Sequence, residues 1–345
     1  MCNRWKHLIV GALVTAGVWV PNTMGAQKVE GPYGLKFTGY IQADGQYYFG
    51  DEDALLDNQF LLRRARIGVE GTAYKGVDFK IVPDFGGAAP SLQDAYININ
   101  YGLPFQLRVG RFKVPFGLER LQSSHQTLFI EPSQATSLTP SYDVGLQVQG
   151  NLSNDAGNYA FGVFNGVADG ASSLGDTEDE KDVAARLWLL PYKDLGLGFA
   201  VTHGKTTNNN RTRWSPQATW YSGRSGFLGE YVVSKGGDPG VFLPLTQRAW
   251  QIQMSYTLTG EKASYEGLKP LKPFDPAKHS WGAWELAGRY SELKDDERAR
   301  TWSGGVNWYL NNALKGQINY GYIQILGSLS DSNMHELLTR VQITF

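Results

Sequence analysis

The chain has 345 residues, 42% hydrophobic and 13% aromatic, with 41 glycines, one cysteine and a formal charge of −1. Near-neutral charge gives no general attraction to nucleic acid or to an anionic membrane surface, and a lone thiol excludes a disulfide-stapled framework. Mean hydropathy is −0.32, and past the N-terminal segment no apolar run approaches the ~20 residues of a spanning helix, which excludes a helical membrane protein but leaves a barrel open.

Residues 1–26 read as a secretory signal peptide. Arg4 and Lys6 precede an apolar stretch from Leu8 to Val20, and Gly25 and Ala26 supply the small residues of a cleavage site. Cleavage removes Cys2 and takes Lys+Arg from 32 to 30 against 33 acids, leaving a thiol-free exported chain over 27–345 that we expect to be a single domain.

Across that domain period-two alternation replaces helical periodicity, and turn residues divide it into sixteen candidate strands. In the first half they span 34–49, 59–73, 77–85, 91–102, 105–115, 143–152, 158–167 and 182–192. In the second half they span 195–206, 211–224, 225–237, 245–260, 280–294, 299–313, 314–325 and 335–345. Many exceed the ~5 to 6 residues usual in globular sheets, and an even number of long antiparallel strands is what a closed transmembrane barrel requires. The expected fold class is therefore all-β, an antiparallel β-barrel; fourteen strands is the alternative, because 77–85 and 225–237 are weakly patterned.

The second strand, QFLLRRARIGVEG, carries three arginines. Counting by two, Leu62, Arg64, Arg66, Gly68 and Glu70 share one face and Leu61, Arg63, Ala65, Ile67 and Val69 the other. Arg64 and Arg66 read as lumen residues, which puts Arg63 toward lipid, where a charge costs ~2 to 4 kcal/mol near the midplane. Either a bulge turns Arg63 inward, or this strand lies against another protomer of a trimer. The bland alternative is that the triplet pairs with wall carboxylates such as Glu70 or Asp94.

Residues 111–142 form the longest interval that resists a strand assignment, and structureless loops beyond ~12 to 15 residues are usually functional. We expect this segment to fold into the lumen as a constriction, with Lys113, Arg120 and His125 toward the aperture or wall and Glu119 and Glu131 as counter-charges. The other possibility is an external loop with ordinary surface charge.

Further on, Arg186, Arg211, Arg213 and Arg289 fall on faces opposite apolar neighbours and are expected to be secondary pore-lining groups. Arg suits phosphate-like or carboxylate solutes because its fork donates bidentate hydrogen bonds. The clearest alternation is AWQIQMSYTL, with Trp250, Ile252 and Met254 opposed to Gln251, Gln253 and Ser255. Short links such as NNAL and YKDLG read as periplasmic turns, whereas ADGASSLGDTEDEKD and EGLKPLKPFDPAKH read as external loops. The terminal Phe345 continues the apolar face of its strand, as in barrels recognised during assembly in a Gram-negative outer membrane.

Five segments in order, LLRRARIGVEG, VGRFKVPFGLERLQSSHQTLFIE, DVGLQVQG, SYTLTGEKASYEGLKPLKPF and GAWELAGRYSEL, resemble the phosphate-selective porin O/P family. The resemblance implies a sixteen-stranded trimeric barrel, an inward third loop and anion passage along arginines and lysines, here Arg63, Arg64, Arg66, Lys113 and Arg120. The sequence departs from it in balanced charge and in a short basic ladder, Arg211 and Arg213 alone. The expected function is an outer-membrane diffusion porin with anion preference, acting on phosphate or other small anions as a homotrimer in outer-membrane lipid. A porin of weak or different selectivity, for sugars or carboxylates, is the alternative. An outer-membrane barrel enzyme is a third, but His125, His203, His279 and His335 offer no obvious catalytic set. Neither a metal cluster, a cofactor motif nor a nucleic-acid partner is indicated.

Overall fold

Alternation sends every second side chain to each face, so a sheet of such strands must put water on one side and an apolar medium on the other. Closing that sheet removes its edges. The structure, a computed structural model, describes residues 34–50, 57–102, 104–175, 180–206, 209–236, 245–295, 297–327 and 331–345; the signal segment 1–26 lies outside the described residues.

The first eight strands are β1 (Lys36–Gly50), β2 (Gln59–Tyr74), β3 (Val77–Asp84), β4 (Ser91–Ile99), β5 (Gln106–Lys113), β6 (Tyr142–Asn151), β7 (Gly157–Phe164) and β8 (Asp182–Tyr192). The second eight are β9 (Leu195–Thr206), β10 (Asn209–Ser222), β11 (Ser225–Gly236), β12 (Leu245–Thr257), β13 (Ala283–Lys294), β14 (Arg298–Tyr309), β15 (Leu314–Leu326) and β16 (Asp331–Thr344). Each pairs antiparallel with its sequence neighbours, and β1 pairs with β16 to close a sixteen-stranded barrel. The fourteen-strand alternative fails, since 77–84 and 225–236 both pair on two sides.

Gly39 and Phe345 exchange backbone hydrogen bonds of 2.8 and 2.9 Å, so both ends of the described chain lie at one rim. On β12 the expected faces are observed: Ala249, Gln251, Gln253 and Ser255 are buried inside, while Met254 is 58% exposed on the outer wall. Aromatic rings gather in two outer bands. Trp284 and Trp308 stack at 5.1 Å near the terminal rim. Trp250, Tyr290, Trp302 and Tyr322 form a chain of ring contacts nearer the other rim, as interfacial girdles do.

One connection lies opposite to expectation. Residues 258–282, which include EGLKPLKPFDPAKH, follow β12 and therefore emerge at the terminal rim, together with the short links YKDLG and NNAL read as periplasmic, and not at the rim of ADGASSLGDTEDEKD. In an up-and-down barrel the rim is set by whether the preceding strand is even or odd, and length had suggested the wrong one. This segment folds back beneath the lumen, with Glu261 and Leu268 buried.

Candidate functional site

Lys113 ends β5 and Tyr142 begins β6, and the 114–141 loop between them runs inside the barrel. Gly117 takes a left-handed φ of 78°, turning the chain into a single helical turn, α1 (Leu118–Leu121). A β-carbon there would lie 2.8 Å from Thr139 Cγ2, so the turn tolerates little else. Phe116, Ala135 and Leu138 pack on Ala184, Ala200, Val232 and Ala249 of the inner wall, whose small side chains leave room for the loop to lie flat. Burying a side chain as large as Phe116 contributes about 2 to 3 kcal/mol.

Polar anchors fix the rest. Glu230 accepts from the backbone N–H of Leu118 at 2.6 Å and of Glu119 at 3.2 Å. Glu119 accepts from Gln251 at 2.9 Å and Gln253 at 3.0 Å and lies 3.6 Å from Arg289. On the far side, Lys315 donates to Thr127 O at 2.9 Å and Asn319 accepts from Ile130 N–H at 2.8 Å. Tyr265, from the 258–282 segment, donates to Leu118 O at 2.6 Å and so braces α1 from the periplasmic side.

Arg63 is resolved by a bulge. The register of β1 against β2 passes from Gln42↔Arg64 to Ala43↔Leu62, leaving Arg63 unmatched. The backbone there bonds the turn after β3 instead: Phe85 N–H to Ala65 O and Gly87 N–H to Leu62 O, both 3.0 Å. Gly86 is needed at this contact, because a β-carbon would sit 2.4 Å from Arg64 Cα. Arg63 therefore points inward and pairs with Glu131 at 3.0 Å, while Leu62, expected in the lumen, is exposed on the outer wall. The carboxylates involved also differ from those expected: Arg66 pairs with Asp84 at 2.7 Å, and Glu70 binds Lys36 and Lys80.

Beneath the loop lies a cavity of about 700 Å³ opening toward the terminal rim. Its wall carries Arg66, Lys80, Arg108, Lys113 and Arg186, with Asp94 as the one carboxylate side chain among the lining residues. Lys113 donates to Gln122 O at 2.7 Å. Arg64 donates to Gln42 at 2.9 Å, Arg186 to Gln217 at 3.3 Å, and Arg108 lies over the Tyr96 ring at 4.3 Å. Among the described residues no carboxylate forms an ion pair with Arg64, Arg108, Lys113 or Arg186. His125 also lines the cavity. Burial, reinforced by Lys315, Arg66 and Lys113, pushes its imidazole down from 6.5 to about 4, so it is uncharged at neutral pH.

The expected residues thus divide. Arg66, Lys113 and Arg186 line the cavity, whereas Arg64 is not among its lining residues and donates to Gln42 on the inner wall. Arg63 and Arg289 hold the loop, and Arg120 donates to Thr136 O and Thr139 within it. Burial lowers the Arg120 pKa against the opposing fields of Glu119 and Glu230. Arg213 is buried, donates to Val167 O at 2.7 Å and pairs with Asp169 and Asp182, and Arg211 lies 4.0 Å from Asp169. These two tie the loop after β7 to the wall. Lys80 and Arg108 were missed, although each alternates with inward neighbours, Val82 and Gln106, at period two.

A model of the family described as phosphate-selective porin O and P matches residues 35–198 and 198–337. Porin O of Pseudomonas aeruginosa is 25% identical over 391 aligned positions, covering 91% of this chain and 89% of that protein. The anion-selective porin from Comamonas acidovorans superposes with a TM-score of 0.66 at 12% identity, covering 91% of this chain and 100% of that one. The trimer form of in-vitro folded OmpT from Vibrio cholerae gives 0.61 at 10% identity, covering 90% and 99%. At those identities the two solved structures show the shared barrel fold. The family match runs through both halves of the barrel, and the chain belongs to the phosphate-selective porin O and P family, an outer-membrane anion porin and not an enzyme.

Proposed function

We propose that anion preference is set where the 114–141 loop meets the wall, by Arg64, Arg66 and Lys113, and is extended periplasmically by Lys80, Arg108 and Arg186. The observation that carries this reading is the cavity wall, where Arg66, Lys80, Arg108, Lys113 and Arg186 face one side-chain carboxylate, Asp94; Arg64 adds its charge from beside Gln42 on the adjoining wall. Their charges lie in a narrow, partly desolvated space, where a field reaches further than on an open surface. Phosphate-like oxyanions suit it best, because guanidinium forks offer paired donors to such oxygens.

Reversal potential in a salt gradient tests the reading. Changing Arg64 and Arg66 together to Gln removes two charges, each contributing about 1 kcal/mol at such separations. Anion preference should fall roughly thirtyfold if the two contributions add, and phosphate block of the chloride current should weaken. Unchanged selectivity would make the two arginines wall braces for Gln42 and Asp84.

A homotrimer is the assembly we propose. Its support is the low wall: β3, β5 and β7 have 8 residues each, short of the ~9 to 11 of a tilted spanning strand, whereas β8 to β16 have 11 to 14. A neighbouring protomer would shield that side from lipid. Arg63, turned inward, gives no support to the trimer.

A further inference from the structure

We propose that the outer wall of β12–β14, above its aromatic band, binds the phosphorylated headgroup of an outer-leaflet glycolipid. This rests on the outer-membrane placement of the barrel and not on the anion path through its lumen.

The strands place the charges there. On β12 the inward residues are Ala249, Gln251 and Gln253, so Arg248 and Trp250 face out. On β13 Ala287, Arg289 and Ser291 are buried inside, so Tyr290, Glu292 and Lys294 face out. On β14 Thr301 and Ser303 are inside, so Arg298, Arg300 and Trp302 face out. The registers Arg248↔Lys294 and Lys294↔Arg298 set three cations side by side on three adjacent strands.

Like charges directly opposite one another destabilise a sheet unless something of opposite sign lies between them. Among the described residues of these strands, the outward carboxylate is Glu292, and it is already shared, 2.9 Å from Arg300 and 3.9 Å from Arg298. Arg248 and Lys294 have no carboxylate partner among the described residues. At the hairpin tip, Asp295 is engaged by Gln247 and the Glu297 N–H.

Height on the wall identifies the ligand. The cation row lies four residues beyond Tyr290 and Trp302 on their strands, about 13 Å along the chain toward the external rim. Aromatic bands sit at the membrane interface, so the cations reach the headgroup layer of the outer leaflet. In a Gram-negative outer membrane that layer is a glycolipid bearing phosphates, and two arginines and a lysine match its oxygens in charge and in donor geometry. The wall at β2 and the turn after β3 differs: its outward residues near the same rim include Phe60, Leu62 and Phe85, all exposed and apolar.

The test is lipid retention by the full-length barrel in detergent, measured by native mass spectrometry with bisphosphorylated lipid A and with its dephosphorylated form. Wild type should retain the bisphosphorylated form at least tenfold better, and the triple variant Arg248→Gln, Lys294→Gln, Arg298→Gln should lose that preference. Reversal potential of the triple variant should match wild type, which separates this site from the pore. Equal retention of both lipids by wild type overturns the proposal even if the variant fails to fold, and so does a folded triple variant that keeps the preference.

Discussion

His125 and Arg66 are both basic and line the same cavity, yet an imidazole and a guanidinium answer burial differently. A guanidinium keeps its proton under conditions that strip an imidazole. With its pKa pushed down to about 4, His125 lines the cavity as a neutral ring bonded to Ser123 at 2.8 Å. A base whose folded pKa is depressed gives stability that is complete above its ordinary value and declines as pH falls from 6.5 toward about 4. Reversal potentials of wild type and His125→Gln should therefore coincide from about pH 8 to 5. They should part as pH passes below, wild type gaining anion preference; a separation centred near the ordinary imidazole value would refute the burial argument. Arg63 and Arg64 form a second contrast. Period two sets Arg64 and Arg63 on opposite faces, whereas the structure turns both inward, to Gln42 and Glu131, because the bulge depends on Asp84 at the end of β3 and Gly86 in the turn after it and no local pattern reports it. Arg63→Gln should release the loop near Glu131 and increase current noise, while Arg64→Gln shifts the reversal potential more.

Strands were legible because each carries its own instruction, an apolar and a polar face. AWQIQMSYTL and ELLTRVQITF stand with the faces their alternation assigns, and Leu337, Val341 and Ile343 are exposed outside while Arg340 and Gln342 are buried inside. Loops carry no such instruction, and their roles come from distant partners. Arg289 and Arg213 fall on inward faces as expected, but Glu119 and Asp169 claim them, and neither carboxylate is near in sequence. The 258–282 segment is the sharpest case, since its reach to Leu118 depends on the closed barrel. Its brace predicts a measurable effect. Tyr265→Phe removes one hydrogen bond, about 1 kcal/mol, whereas Glu230→Ala leaves the N–H groups of Leu118 and Glu119 buried without an acceptor, about 1 to 3 kcal/mol each. Single-channel recordings should then show frequent conductance steps for Glu230→Ala and milder noise for Tyr265→Phe. Quiet, wild-type currents from Glu230→Ala would mean that apolar packing of Phe116 and Leu138 suffices to hold the loop.

At the scale of the whole barrel, the wall is uneven, low from β3 to β7 and tall from β8 onward, and a bilayer of fixed thickness cannot fit both. In the proposed trimer a neighbour against the low side would remove the mismatch and leave the tall side, with its girdles and its row of cations, to the lipid. Both sides are apolar, so a charge placed on each tells them apart. Ile97, on β4, and Leu286, on β13, are 50% and 42% exposed on the outer wall. On lipid an arginine costs ~2 to 4 kcal/mol at the midplane and less toward an interface, which long side chains reach by snorkelling. Between protomers it has no such exit, because breaking into a desolvated contact leaves the charge unpaired. Ile97→Arg should therefore shift the heat-released band of an SDS-resistant oligomer to monomer at lower temperature, while Leu286→Arg lowers yield of folded barrel and leaves the oligomer intact. Equal effects of the two on oligomer melting, or a monomer for the unaltered chain in native mass spectrometry, would remove the low wall as an interface.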